Sequence, residues 1–206
     1  MGQSSSQPRV GVVVLAAGAS TRMGIAATPK QLLVYEGQTL VRRAVETALA
    51  SVCSPVVVVL GANAFAIGAE LELPVIVTRN CEWETGMGSS IRAGLEAVLA
   101  ADGDVDAIVV QLCDQPFVTA ELLDTLIERR RETGKTIVST EYRGTRGVPA
   151  LFARELFAEL RALSGQEGAR RIIRNHPDDT AVVPFVGAAI DIDTPQDYEA
   201  LCVADE

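Results

Sequence analysis

Histidine is almost absent from this chain of 206 residues, and His176 is its single example. It lies between Asn175 and Pro177, a context that predicts an exposed turn at the end of a helix. A hydrolase that activates serine or cysteine through an imidazole needs a histidine held beside the nucleophile. The scarcity of histidine therefore argues against that class of enzyme.

Paired cysteines and long apolar runs are also missing. The four cysteines, Cys53, Cys81, Cys113 and Cys202, show no C-x-x-C spacing. We therefore expect reduced thiols in a cytoplasmic protein, without a zinc site. The apolar run at residues 10–19 is well short of the roughly 18 residues that span a bilayer. We interpret it as a buried strand and expect no membrane partner.

Positive charge is in deficit. The formal net charge is −9, and Lys30 and Lys135 are the only lysines among 18 basic residues. A nucleic-acid-binding protein needs a basic face that displaces counterions, so we expect no nucleic-acid partner. An acidic protein that binds a polyphosphate must gather its cations at one place or recruit a metal ion.

The most informative segment present is a β-branched run followed by small residues and a cation. Residues 12–24 read VVVLAAGASTRMG, and Lys30 follows six positions later. Small residues let backbone N–H groups approach an anion, while Arg22 and Lys30 supply countercharge. The segment lacks both the Gly-Lys-Ser/Thr of a Walker loop and the spacing G-x-G-x-x-G. It predicts a triphosphate site of another design.

Apolar runs alternate with amphipathic stretches along the chain. The predicted strands are residues 10–15, 55–60, 75–78, 107–112 and 136–139, and the predicted helices are residues 40–50, 64–71, 89–101 and 119–132. This alternation predicts one α/β domain over residues 9–206, with a mostly parallel sheet covered on both faces. Residues 1–8 are polar and are expected to form a disordered lead. Thr119 and Thr194 are predicted helix caps, the second followed by Pro195.

The character of the chain changes after residue 140. Residues 142–149 are rich in turn formers, residues 150–152 predict a short strand, and two helical segments follow. We interpret this region as an insertion that forms one wall of a cleft. Ligands of parallel sheets bind beyond the carboxyl ends of the strands. The loop after residue 15, the loop at residues 80–90 and Asp114 should therefore share one rim.

Four motifs together resemble a known family. Residues 15–24 with Pro29-Lys30 resemble the signature of nucleotidyltransferases that activate sugars, terpenoid precursors and the molybdenum cofactor. Residues 80–91 (NCEWETGMGSSI), 113–117 (CDQPF) and 191–197 (DIDTPQD) resemble the molybdenum cofactor cytidylyltransferases of the MobA-like family. The resemblance covers nearly the whole chain. It implies a single three-layer Rossmann-like domain of the nucleotide-diphospho-sugar transferase type.

The resemblance also implies roles for individual residues. Lys30, Arg22 and Asp114 would be catalytic, the first two by contacting the nucleotide phosphates. The expected nucleotide-binding residues are Leu15, Ala16, Ala17, Gly18, Ser20, Arg22, Lys30, Asn80 and Gly86.

Two carboxylates are expected to hold Mg²⁺, the usual companion of nucleotide phosphates. Asp114 follows a buried strand, although an aspartate there could instead bond turn amides. Asp191 and Asp193 alternate on an apparent strand, so only one should face the cleft. The resemblance favours Asp191 as the second ligand, while Asp193 could belong to the capping turn before Pro195.

The implied reaction transfers CMP from CTP to the terminal phosphate of a molybdopterin cofactor and releases pyrophosphate. Guanylyl relatives typically show Ala-Gly-Gly where this chain has Ala16-Ala17-Gly18, and the methyl of Ala17 would favour a pyrimidine over GTP. At Gly147-Val148-Pro149 the chain departs from the Gly-His-Pro usual in this branch, which bears on the acceptor.

Three alternatives stay open. The enzyme could be a guanylyltransferase, or it could act on another phosphorylated metabolite. The chain could also be a non-catalytic chaperone that holds the cofactor. Besides the nucleotide and the molybdopterin cofactor, a molybdoenzyme or its chaperone could be a further partner.

Overall fold

The computed structural model describes residues 8–24 and 28–203. Within them the strands are β1 (Val10–Ala16), β2 (Val34–Tyr35), β3 (Gln38–Thr39), β4 (Val56–Leu60), β5 (Ile76–Arg79), β6 (Ala107–Leu112), β7 (Ile137–Tyr142), β8 (Thr145–Ala153) and β9 (Thr180–Pro184). The α-helices of this part are α1 (Leu40–Ala50), α2 (Ala64–Gly68), α3 (Met87–Ala101), α4 (Ala120–Thr133), α5 (Phe157–Arg161), α6 (Ala169–Asn175) and α7 (Pro195–Val203). The predicted lead at residues 1–8 lies outside the described residues, apart from Pro8.

Seven strands form one sheet in the order β5-β4-β1-β6-β8-β7-β9. Strand β1 pairs in parallel with both β4 and β6, and β8 runs antiparallel to its neighbours β6 and β7. Strands β2 and β3 form a separate two-stranded hairpin. The prediction of a mostly parallel sheet is confirmed.

The apolar run of β1 is buried on both of its faces. Val12 and Val14 pack into a cluster that includes Val41 of α1, whereas Val13 packs on the other face beside Ile91 of α3. Because side chains alternate along a strand, only a continuous apolar run fills two cores at once. Helices therefore cover both sides, as the sequence predicts.

Two predicted helix caps are present. The Thr119 hydroxyl accepts a hydrogen bond from the Leu122 amide at 3.2 Å, and α4 begins one residue after Thr119. At α7 the Thr194 hydroxyl accepts from the Asp197 amide at 3.2 Å, and the Asp197 carboxylate accepts from the Thr194 amide at 2.8 Å. This reciprocal pair fixes where the C-terminal helix starts.

The region after residue 140 is not an insertion, which corrects the prediction. Strand β8 lies inside the main sheet and is much longer than the three residues expected at 150–152. The turn is confined to Arg143 and Gly144, which both have positive φ. Arg146 and Gly147 interrupt the apolar pattern of β8, so its first half resembles a loop in sequence. Strand β9 and the hairpin of β2 and β3 were not predicted.

The strands β4, β1 and β6 are adjacent and parallel, so the chain leaves all three of them at the same edge of the sheet. In the described part of the chain, no helix combines the length and apolar character needed to cross a membrane.

Candidate active site

The loop after β1 is held in shape by Gln31, a buried residue that follows Lys30. The Gln31 side-chain amide donates to the Gly18 carbonyl at 2.8 Å, and its oxygen accepts from the Ser20 hydroxyl at 3.0 Å. The same hydroxyl accepts from the Lys30 amide at 3.1 Å, and Ser20 itself has a φ of 57°. The loop is therefore fixed by side chains of the protein itself. Sequence reasoning missed Gln31, although a glutamine next to the predicted lysine in an otherwise apolar stretch was a signal.

Lys30 connects this loop to two carboxylates. Its ammonium donates to Asp114 and, at 2.7 Å, to Asp193, with only 14% of the lysine side chain exposed. Burial by itself would lower the pKa of Lys30, but the charge and hydrogen bond of Asp114 and the bond to Asp193 outweigh it and raise that pKa. Lys30 therefore stays protonated, and we expect it to act as a positive charge and not as a general acid.

Arg22 reaches the same place from the exposed side of the loop. Its guanidinium lies 2.8 Å from the Asp193 carboxylate, and 68% of its side chain is exposed. Arg22, Lys30 and Asp114 are thus brought together, as predicted.

Backbone contacts bring the 191–193 segment beside Asp114. The Ile192 amide donates to the Asp114 carbonyl at 3.0 Å. The buried Gln115 side chain donates to the carbonyls of Val148 and Ala188, each at 3.2 Å. These bonds join the end of β6 to β8 and to the segment before α7. Gln115 belongs to the CDQPF motif of residues 113–117, but nothing in the sequence indicated this role.

Asp191 and Asp193 both line the cleft, so the prediction that only one of them faces it is wrong. The segment is irregular chain after a 3₁₀ turn at Val186–Ala189, and strand alternation does not apply to it. The Asp193 carboxylate binds Lys30 and Arg22, and only its backbone amide joins the cap of α7, through Asp197.

Two carboxylate oxygens in the cleft could serve as metal ligands. Asp114 Oδ1 and Asp191 Oδ1 are both buried and have no hydrogen-bond partner among the described residues. Burial raises the pKa of Asp191, and the nearby charges of Asp114 and Asp193 raise it further, against weaker opposing effects of Gln115 and Arg170. A cation between Asp114 and Asp191 would relieve this repulsion. In the part of the chain described, no group of three or more aspartate, glutamate, histidine or cysteine side chains forms a metal site.

Cys113 lines the cleft beside Asp114 but is a poor nucleophile. Burial, with the added charge of Asp114, raises the pKa of its thiol to about 12. The thiol therefore stays protonated near neutral pH. His176 does not line the cleft, and its imidazole lies 2.9 Å from Glu159.

Asn80 supports the cleft from behind, which corrects its predicted nucleotide contact. It is buried, its side-chain amide donates to the Ser89 and Ser90 hydroxyls at 2.8 and 3.0 Å, and its oxygen accepts from the Glu82 amide. Ser89 lies inside the first turn of α3 and does not cap it, because Gly86 occupies the capping position.

Gly86 lines the cleft as predicted, and its need for glycine comes from the protein itself. Its φ is 120°, and a Cβ atom would come within 2.0 Å of the Gly165 carbonyl oxygen. The loop before α6 therefore packs directly on the loop before α3.

The cleft has a volume of about 860 Å³. The predicted nucleotide-binding residues on its wall are Leu15, Ala17, Gly18, Ser20, Arg22, Lys30 and Gly86. Ala16 packs in the core between the sheet and α1 instead, because its side chain points to the opposite face of β1. The facing wall includes Val148 of β8 and Arg170 of α6.

Several known proteins are similar to this chain in sequence. The family model described as a MobA-like NTP transferase domain matches residues 12–180. The chain is similar to a nicotine blue oxidoreductase of Paenarthrobacter nicotinovorans, with 40% identity over 82% of this chain and 84% of that protein. It is similar to the purine catabolism protein PucB of Bacillus subtilis, with 30% identity over 91% of this chain and 93% of that protein.

Solved structures show the same architecture. A manganese complex of Rv0371c from Mycobacterium tuberculosis has a TM-score of 0.76 and 28% identity, over 94% of this chain and 97% of that one. More distant solved nucleotidyltransferases share the nucleotide-diphospho-sugar transferase fold, so the predicted fold class is confirmed.

Proposed function

The chain belongs to the MobA-like NTP transferase family, and from this premise we propose that it transfers CMP from CTP to the terminal phosphate of a molybdopterin cofactor. One observation carries the proposal. A single cleft holds Lys30 and Arg22 on a pre-shaped loop, together with the free carboxylate oxygens of Asp114 and Asp191. Such a cleft has the cations for a triphosphate and the oxygens for a metal ion.

The proposed chemistry needs positioning and charge more than proton transfer. An oxygen of the acceptor phosphate attacks the α-phosphorus, and the bond to the bridging oxygen breaks. The electron pair leaves with pyrophosphate, whose charge Lys30, Arg22 and the loop amides would neutralise. The acceptor phosphate is already ionised at neutral pH, so no general base is required. This fits a cleft without histidine on its described walls and with the protonated thiol of Cys113.

Asp114 and Asp191 are the residues proposed to hold Mg²⁺. When bound, the metal ion would supply charge neutralisation at the α-phosphate. Asp193 is a weaker candidate because both of its carboxylate oxygens are in ion pairs with Lys30 and Arg22. Asp114, in contrast, pairs through Oδ2 and keeps Oδ1 without a partner among the described residues. The structural relative Rv0371c has been solved as a complex with manganese, which supports a divalent ion in the proposed site.

We also propose that the enzyme prefers CTP over GTP, because of the cleft wall around Ala17. The Ala17 methyl lines the cleft, and a Cβ at Gly61 would come within 2.6 Å of the Ala17 carbonyl oxygen and 2.7 Å of Trp83 Cβ. The wall is thus tightly packed behind Ala17. A smaller residue at this position would widen the space for a base.

The name of one relative favours a second candidate. The protein that is 40% identical is called nicotine blue oxidoreductase, so an oxidoreductase activity is the second candidate for this chain. The two candidates differ in a simple readout. A nucleotidyltransferase releases pyrophosphate, whereas an oxidoreductase consumes a reductant.

The deciding experiment measures pyrophosphate release from CTP, GTP and ATP, with molybdopterin cofactor as acceptor and with Mg²⁺ or Mn²⁺. We expect turnover with CTP, and we expect Ala17→Gly to raise turnover with GTP about tenfold relative to CTP, the size of effect that one methyl has in a binding pocket. Ala19→Gly, which removes a methyl from the same loop, serves as the matched control. A clear GTP preference of the unmodified protein would refute the base assignment. Oxidation of NADH or NADPH without pyrophosphate release would favour the oxidoreductase.

A further inference from the structure

Arg170 is an arginine of the cleft wall whose charge is not used by a carboxylate. Within the described part of the chain it forms no ion pair, and its guanidinium donates to the Tyr142 hydroxyl at 2.6 Å. Its neighbour Arg171 pairs with Glu167, and Arg22 on the opposite wall pairs with Asp193. Arg170 is therefore held in place by a neutral group and keeps its full charge for an anion.

The surroundings of Arg170 make room for this arrangement. A Cβ atom at Gly147 would come within 2.6 Å of the Tyr142 hydroxyl oxygen and 3.2 Å of Arg170 Nε. Glycine at that position leaves space for the tyrosine and the arginine, and a larger residue would have to displace their side chains. Val148, the next residue, lines the cleft with an apolar side chain and supplies no charge there. The positive charge of this wall is on α6, and of its cleft-lining arginines, Arg170, Arg171 and Arg174, Arg170 is the one beside Gly147.

Arg170 lines the same cleft as Asp114 and Asp191, and it lies beside Gly147 of β8, the strand next to β6 in the sheet. The strand order β1-β6-β8 places the loop of Lys30 and Arg22 on one side of the end of β6, where Asp114 lies, and the wall with Arg170 on the other side. An in-line transfer requires the attacking and leaving groups on opposite sides of the α-phosphorus.

We propose that Arg170, positioned by Tyr142, binds the phosphate group of the acceptor substrate. This inference rests on the proposed nucleotidyl transfer and adds the residue that selects a phosphomonoester as acceptor. The planar guanidinium offers two parallel N–H groups to two phosphate oxygens, which leaves a third oxygen free to attack. Tyr142 is a positioning residue, because its hydroxyl acts on the substrate only through Arg170.

The first test separates the two substrates kinetically. With molybdopterin cofactor as acceptor, Arg170→Gln should raise the KM for the acceptor at least tenfold and leave the KM for CTP within twofold, because a charge-assisted bidentate contact is lost. Tyr142→Phe should raise the acceptor KM about threefold with kcat unchanged. Arg171→Gln removes the same charge from the adjacent position and should have little effect. Equal effects of the two arginine variants would overturn the proposal, because the acceptor would then be attracted by the positive charge of α6 in general and not bound by Arg170.

The second test does not depend on turnover. The protein is saturated with Mg²⁺ and a non-hydrolysable CTP analogue, and binding of inorganic phosphate is measured by calorimetry. We expect saturable binding that Arg170→Gln weakens about tenfold and Arg171→Gln does not. Absence of phosphate binding, or binding that Arg170→Gln leaves unchanged, would overturn the assignment. Absence of pyrophosphate release by the unmodified protein would instead refute the nucleotidyl transfer, and phosphate binding would still decide the role of Arg170.

Discussion

The two walls of the cleft hold their cations in different ways. On the wall after β1, only 14% of the Lys30 side chain is exposed, and Gln31 fixes the loop beside it through bonds to Gly18 and Ser20. On the wall formed by β8 and α6, Arg170 is exposed and contacts Tyr142 through both the hydroxyl and the ring of the tyrosine. The first wall is braced by several hydrogen bonds before any substrate binds, whereas the arginine of the second wall is positioned by Tyr142 alone among the described residues.

This difference is consistent with the two tasks that the walls would have. A triphosphate presents the same chemical group in every nucleotide, so a fixed loop can match it in advance and avoid the entropy of ordering. An acceptor varies more in shape, and a long arginine on a short helix tolerates that variation. We expect substitutions on the first wall to change both stability and nucleotide binding, and substitutions on the second wall to change acceptor binding alone.

The largest expected effect is at Asp114, where the two walls meet. Asp114→Asn should lower turnover by roughly two to three orders of magnitude, because a charged group at the reacting centre is lost. Binding of CTP should become less dependent on Mg²⁺ in the same variant. Pyrophosphate release and calorimetric titration with and without Mg²⁺ measure these effects.

Asp178→Asn is the matched control for that substitution, since Asp178 lies outside the cleft in a 3₁₀ turn. Its turnover should stay within twofold of the unmodified protein. Unchanged turnover of Asp114→Asn would remove Asp114 from the mechanism.

A smaller effect tests the rigidity of the first wall. Gln31→Ala should lower the free energy of unfolding by about 1–3 kcal/mol, because buried partners at Gly18 and Ser20 lose their hydrogen bonds. The dissociation constant for CTP should rise about tenfold as the loop loosens. Gln166→Ala changes an exposed glutamine of the second wall and should shift stability by less than about 0.5 kcal/mol. Equal losses for the two variants, measured by urea unfolding, would contradict the contrast between the walls.

The smallest expected effect is on thermal stability and concerns Asp191, a carboxylate between the walls. The pKa of Asp191 is raised in the folded protein by burial and by Asp114 and Asp193, so its ionised form opposes folding. Asp191→Asn should therefore raise Tm at pH 7.5, and the gain should disappear as the pH falls below about 4, the ordinary pKa of aspartate. Because the Asp191 side chain is partly exposed to screening solvent, we expect this gain in Tm to be only about 2 °C.

Asp193→Asn should change Tm in the opposite direction. It breaks the ion pairs of Asp193 with Lys30 and Arg22 and should lower Tm at pH 7.5. Calorimetry of both variants at pH 7.5 and pH 4 measures the effect. A lower Tm for Asp191→Asn at pH 7.5 would contradict the inference that the ionised Asp191 carboxylate destabilises the folded protein.

Local patterns in the sequence were a good guide to the first wall. The run before Leu15 predicted β1, and the small residues with Arg22 and Lys30 predicted the loop, because these features act over a few neighbouring positions. The second wall has no contiguous pattern. Strand β8 resembled a loop at Arg146 and Gly147, and the irregular segment at 190–193 resembled a strand.

The sequence by itself determined a parallel sheet with helices on both faces, and the loop that carries Lys30. Each follows from periodicity and residue type within one stretch of chain. Tertiary structure alone decided that Asp191 and Asp193 both face Asp114, that Asn80 lies behind the cleft, and that Arg170 meets Tyr142. These contacts join residues far apart in the chain through bonds such as that from the Ile192 amide to the Asp114 carbonyl, and no local pattern encodes the register of such bonds.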